Sequence, residues 1–157
     1  VKLNLDFIHI GDDVCTGTGL FIRPETFMKM YMERTRRLIK PALDRGIPVT
    51  FHSDGKIDQI IDMLVELGFC AMHPVEPYSN DIYEVRKKVG NRLCIMGNIC
   101  LTSRTAEDVR KDSIEHLEKL ADGDYVMTSS HTVTDDVPFE NFAAMVEANY
   151  EFGSYQG

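Results

Sequence analysis

Chemistry gathers first at Val49-Thr50-Phe51-His52-Ser53-Asp54-Gly55, where three strand-forming residues run straight into an imidazole, a hydroxyl, a carboxylate and a glycine. An imidazole and a carboxylate two positions apart can work as a general base with its orienting acid, or can share a metal ion. The same stretch can also be read as a strand-end turn, since Asp-Gly is a common turn pair. Similar groups recur along the chain: His9, Asp12 and Asp13; His73 and Glu76; Asn98; and Ser129, Ser130 and His131. Asp13, His52, Asp54, Glu76 and His131 are the candidate catalytic residues. Asp12, His73, Asn98 and Ser129 are the candidates for binding substrate. His52, Asp54 and His131 form a ligand set suited to zinc, with Glu76 or His73 able to complete it. The alternative is a hydrogen-bonded polar network that binds substrate with no metal.

The elements that must position these groups follow one rhythm. Strands are expected over residues 3–10, 48–52, 69–73, 93–97 and 125–129, each followed by polar residues and then by a helix. Gly46, Gly68, Gly90 and Gly123 close helices just before strands, which is the βα repeat of a parallel sheet. A first helix starting near Pro24 carries Phe27, Met30, Tyr31, Leu38 and Ala42 on one face, and Pro41 is expected to kink or break it. A second carries Ile57, Ile60, Ile61 and Leu64, and a third Ile82, Val85 and Val89. A fourth is capped by Thr105 with Asp108 and bears Val109, Leu117 and Leu120. The last starts at Pro138 with Phe139, Phe142, Ala143 and Val146. The loop Thr16-Gly17-Thr18-Gly19 is small and polar, without a complete phosphate-loop motif.

Every expected strand delivers its polar groups at its C-terminal end, and four of the five histidines lie there; His116 falls in a helix and is expected to be solvated. In a (β/α)8 barrel that end is the catalytic face. The fold class is therefore α/β: about five βα units forming the C-terminal part of a TIM barrel, as a single domain with its first units missing. A complete five-stranded sheet of flavodoxin type is the alternative.

The 157 residues suffice for one core, and 43% hydrophobic and 27% charged residues are ordinary for a globular protein. A net charge of −8 argues against nucleic acid, which needs clustered Lys and Arg. No stretch reads as a membrane span or signal peptide. Cys15, Cys70, Cys94 and Cys100 form no C-x-x-C pair; Cys70 and Cys94 are expected in buried strands, and the chain reads as cytoplasmic and reduced. Its start at Val1, almost inside a strand, suggests a fragment.

The series Gly11-Asp12-Asp13, Pro24-Glu25-x-Phe27, His52-Ser53-Asp54-Gly55, Met96-Gly97-Asn98-Ile99 and His131 followed by Pro138-x-Glu140-Asn141 resembles the uroporphyrinogen decarboxylase superfamily over nearly the whole chain. The resemblance implies the C-terminal part of that family's barrel. One branch decarboxylates a tetrapyrrole without metal or cofactor, and His131 falls where its last strand delivers a substrate-contacting histidine. The other uses zinc to move methyl groups between corrinoid proteins and thiols or methylated donors, with a His-x-Cys after one strand and a Cys after the last. His52 matches that histidine, while Asp54 and His131 stand where the two cysteines would be. A His/Asp/His set is harder than one with thiolates, which puts thiol activation in doubt. Basic residues on the expected face are few: Arg23, Lys56 and Arg104.

The implied function is a methyltransferase acting on a small methylated substrate with a corrinoid protein as partner. The alternatives are a uroporphyrinogen decarboxylase and a non-catalytic ligand-binding module. Self-association is expected from exposed sheet edges, and the isolated fragment is expected to be catalytically inactive.

Overall fold

The computed structural model describes residues 4–120 and 123–154. Five strands form a parallel sheet in the order β1-β4-β5-β6-β7, where β1 is Ile8–Gly11, β4 Val49–His52, β5 Ala71–His73, β6 Cys94–Met96 and β7 Tyr125–Val126. Each pairs in parallel with the next, with Gly11 opposite His52 and His52 opposite His73. The expected order and direction hold, and the strands are shorter than their apolar runs. The first was expected over 3–10, but Leu5 and Phe7 are exposed and pairing begins at Ile8; Leu3 lies outside the described residues.

A two-stranded antiparallel hairpin of β2 (Cys15–Thr16) and β3 (Gly19–Leu20) was not expected. It occupies the small polar loop, and its Thr16 carbonyl accepts the Lys56 N–H at 2.8 Å. The loop thus braces the backbone just past Asp54.

β4 is buried on both faces, with Val49 and Phe51 fully inaccessible, which is how a central parallel strand differs from an alternating one. The Phe51 ring meets Tyr31 of α1 (Pro24–Leu43) on the helix side. Successive side chains point to opposite faces, so Thr50 and His52 look into the opposite, barrel-interior side.

α1 buries Phe27, Thr35, Ile39 and Ala42. Met30 and Leu38, expected on that face, are exposed, because the contact stripe advances in steps of three and four from Phe27 through Tyr31 and passes beside them. The helix is continuous through Pro41, which sits two residues from its end. α2 (Ile61–Leu67) is shorter than its apolar stripe: Ile57 and Ile60 are buried from the turn before it. Gly68 then caps it at φ 91°.

α3 (Ile82–Val89) buries its three expected residues and is capped by the Asp81 carboxylate on the N–H groups of Tyr83 and Glu84. α4 (Ala106–Leu120) has the expected capping box: Thr105 Oγ1 accepts the Asp108 N–H at 3.2 Å, and the Asp108 carboxylate accepts the Thr105 N–H at 3.3 Å.

In α5 (Phe139–Phe152) the buried face is Asn141, Ala144, Met145 and Ala148, not the expected Phe139, Phe142, Ala143 and Val146. Asn141 decides the rotation, because its amide donates to the carbonyls of Leu101 and Arg104 at 2.8 and 2.9 Å and turns the two phenylalanines outward. A main core of Phe51, Ile60, Leu64, Met72, Ile95 and their neighbours fills the space between sheet and helices. A smaller one of Ile99, Leu101, Val109, Ala144 and Met145 joins α4 to α5. Of the two cysteines expected in buried strands, Cys70 is exposed just before β5 and Cys94 is only half-buried at the start of β6, while Cys15 and Cys100 are buried.

Candidate functional site

The ladder between strands continues a step past their ends and carries the polar residues with it. Asp12 N–H donates to the His52 carbonyl at 3.0 Å, and Ser53 N–H to the His73 carbonyl at 3.2 Å. Ser53 is fully buried, and its hydroxyl accepts the Val14 N–H at 3.1 Å. The Asp54 N–H donates to Asp13 Oδ1 at 3.0 Å, which draws the two acidic loops together. Gly55 turns the chain at φ 85°, where a Cβ would lie 2.5 Å from the Thr16 carbonyl oxygen, so only glycine fits between loop and hairpin.

His52 Nε2 lies 3.6 Å from Asp13 Oδ1 and 4.0 Å from Asp54 Oδ1, and His131 Nε2 lies 3.2 Å from Asp54 Oδ2. Asp54 is therefore the hub between two histidines delivered by strands at separate positions in the sheet, and the curvature of the βα array brings them together. One ligand atom each from Asp13, His52 and Asp54 falls within 4.8 Å of the others, a grouping compatible with a single cation. Asp54 Oδ1 is buried and has no hydrogen-bond partner among the described residues. An orphaned carboxylate oxygen beside an imidazole nitrogen fits a cation as its missing neighbour.

The other ring nitrogen of His52, Nδ1, lies 2.8 Å from Nδ1 of His73. Burial, with His52 and His9 as neighbours, pushes the His73 ring down to about 4. His9 sits behind this pair, its Nδ1 2.7 Å from Thr50 Oγ1, and burial followed by His52 lowers its pKa too.

The remaining sequence candidates have structural partners. Asp12 Oδ2 accepts the Tyr31 hydroxyl at 3.0 Å. Glu76, expected as a catalytic group, holds the Gly55 N–H at 2.8 Å and so supports the turn. Ser129 Oγ donates to the His131 carbonyl at 2.8 Å.

Asn98, expected on the pocket wall, is 3% exposed, and both ends of its amide are used inside the protein: Nδ2 donates to the Val75 carbonyl at 2.7 Å, and Oδ1 meets His116 Nε2 at 2.8 Å. His116 is thus buried, not solvated. Its place among Val109, Ser113, Leu117 and Leu120 already put it on the inner face of α4, a periodicity that outweighs the polarity of the ring. Sequence reasoning also missed Asn80, whose side chain ties Ile57, Gly55 and Glu76 together beneath the site.

Beside Asp12 and Asp13 opens a cavity of about 400 Å³ walled by Phe21, Ile22, Phe27, Met30 and Tyr31. It offers apolar surface next to the carboxylates, the usual make-up of a small-molecule pocket.

Parallel βα units with polar groups collected at the strand C-termini define a TIM-barrel protein whose candidate site lies on the barrel's catalytic face. The sequence model of the uroporphyrinogen decarboxylase (URO-D) family matches residues 3–152, and the chain belongs to that family. It is 30% identical over 130 residues to a uroporphyrinogen decarboxylase of Methylococcus capsulatus, across 80% of this chain and 36% of that protein. Among solved structures it resembles a methyltransferase from Methanosarcina mazei, with a TM-score of 0.77 at 22% identity over 95% of this chain and 43% of that one. An archaeal fructose 1,6-bisphosphate aldolase aligns with a TM-score of 0.52 at 17% identity, covering 95% of this chain and 59% of the other. The chain thus spans about a third of the length of the curated relative and less than half that of the methyltransferase.

Proposed function

We propose that this chain carries the metal-binding face of a URO-D-family methyltransferase that acts on a small methylated substrate with a corrinoid protein as partner. The observation that carries the reading is His52 Nε2 directed at the carboxylates of Asp13 and Asp54, with Asp54 Oδ1 buried and without a hydrogen-bond partner among the described residues. His52 and Asp54 would hold zinc, completed by Asp13 or by His131. Bound there, zinc would supply Lewis acidity to a coordinated substrate atom. The chain's own part is to fix the donors. The Asp54 N–H on Asp13 Oδ1 sets the two carboxylates, Gly55 and Glu76 hold the turn beneath them, and the apolar cavity beside Asp13 would seat the body of the substrate.

Charge favours this reading over decarboxylation of a tetrapyrrole. Asp12, Asp13 and Asp54 crowd the same face, and a polycarboxylate would be repelled by them. Of the basic residues expected there, Arg104 is committed to Asp112 at 2.7 Å and Lys56 pairs with Asp58 at 3.5 Å. The non-catalytic alternative keeps ligand binding at this face without turnover, so an activity assay on the zinc-loaded protein separates it from the methyltransferase. Calorimetric titration with zinc tests the proposal: one site is expected in the wild type and none in His52→Ala, with Asp54→Asn strongly weakened. Equal affinity in wild type and His52→Ala would remove the metal and leave a hydrogen-bonding role. Turnover of uroporphyrinogen by the zinc-free protein would favour the decarboxylase.

A further inference from the structure

Gly11 is the last residue of β1 and stands opposite His52 in regular parallel register. Glycine weakens a strand, so its presence there has a local cause: a left-handed backbone, a bulge, or the close approach of another group. The first two do not apply. Gly11 is not among the glycines with positive φ, and the β1–β4 ladder runs through it with no extra residue. The protein's own packing does not demand it either. A Cβ at Gly55 or Gly97 would collide with backbone, whereas one at Gly11 would meet no described atom within 4 Å beyond its chain neighbours. Residues opposite in register share a face of the sheet, as do residues two apart on a strand. The missing side chain therefore leaves a notch on the barrel-interior face, directly beside His52.

The walls of this notch belong to the candidate site. His9, two residues before Gly11, lies beneath it. Its Nδ1 is held 2.7 Å from Thr50 Oγ1, and its ring centroid is 6.0 Å from that of His52 and 6.3 Å from that of His73. Asp13, two residues past Gly11, brings Oδ1 to 3.6 Å from His52 Nε2. Among the described residues, Asp13 and Asp54 pair with His52 and His131 and with no lysine or arginine. An anion would meet uncompensated carboxylates here. A side chain at position 11 would stand in the approach to the His52 ring.

We propose that the notch at Gly11 is a subsite that receives the methyl-bearing end of a non-anionic substrate, with His9 as its floor and His52 at its side. The identity of the occupant rests on the methyltransferase reading, whereas the notch follows from the geometry alone.

Methanol, the smallest molecule with a methyl group on a heteroatom, is the probe. It is titrated into 15N-labelled, metal-free protein and followed by 1H–15N correlation. Shifts should centre on the Gly11 N–H and on the His9 and His52 rings, and formate, an anion of similar size, should leave those signals unmoved. Gly11→Val fills the notch with a residue that strands favour. It should fold with an unfolding midpoint no lower than the wild type, bind zinc with unchanged affinity, and lose the methanol shifts. Gly11→Ala, the smaller filling, should keep the fold and weaken them. Methanol shifts that persist in Gly11→Val, or formate shifts that match those of methanol, would overturn the proposal. So would a Gly11→Ala protein that unfolds earlier than the wild type, since the fold itself would then need the glycine. Methanol shifts at the notch in a protein that binds no zinc would keep the subsite and remove the metal reading.

Discussion

His73 sets a pH dependence at the scale of a single ring. Burial chiefly, then the neighbouring His52 and His9, takes it from 6.5 down to about 4. Between those values the unfolded chain binds the proton and the folded chain does not. Stability must therefore rise with pH across this window. The contribution is whole above about pH 6.5 and is lost as pH falls toward 4. His9 shifts the same way, so it adds to the same slope. Denaturant midpoints measured from pH 4 to 7 should climb steeply in the wild type and less steeply in His73→Asn; parallel curves would contradict the assignment. His116 makes a second residue-scale case. Its Nδ1 lies 2.8 Å from the Asp112 carbonyl and its Nε2 2.8 Å from Asn98 Oδ1, so it joins α4 to the loop after β6. His116→Ala would leave the buried Asn98 oxygen unpaired and open a cavity, a loss of about 2–4 kcal/mol by equilibrium unfolding.

At the scale of elements, turns and caps hold the strand ends where the chemistry needs them. Gly97 has φ 134°, and a Cβ there would run into the Pro74 carbonyl oxygen. Gly55 is pressed against Thr16 in the same way. Gly55→Ala should cost more than about 1–3 kcal/mol, because the backbone conformation alone accounts for that much before the clash is counted. It should also loosen the site, seen as a larger loss of zinc affinity than any change at the exposed Gly11, where a Cβ meets nothing. Thr105→Ala removes the N-cap of α4 and should cost about 1 kcal/mol in unfolding free energy without altering the site.

At the scale of the whole molecule, β1 and β7 are the outer strands of the described sheet, each with one partner strand there. Apolar side chains lie exposed close to both, Phe7 at 56% and Val126 at 43%. An open edge with uncovered apolar residues invites pairing. The chain alone should therefore self-associate in sedimentation experiments, and a monodisperse monomer at high concentration would contradict this.

Sequence by itself determined the βα rhythm, the parallel order, and the gathering of polar residues at the strand C-termini. These are local properties: helix-ending glycines, apolar runs of strand length, and the direction in which each strand hands its residues to a loop. His52, Asp54 and His131 were legible as candidates for that reason. Only the tertiary structure decided which candidates meet. It brought Asp13 to His52 and Asp54 and made Asp54 the hub for His131. It turned Glu76 toward Gly55, and buried Asn98 against a histidine that its polarity alone had assigned to solvent. Those outcomes depend on strand register, sheet curvature and the rotation of α4 and α5, which arise from contacts between residues far apart in the chain. Spacing along one strand or helix does not contain them.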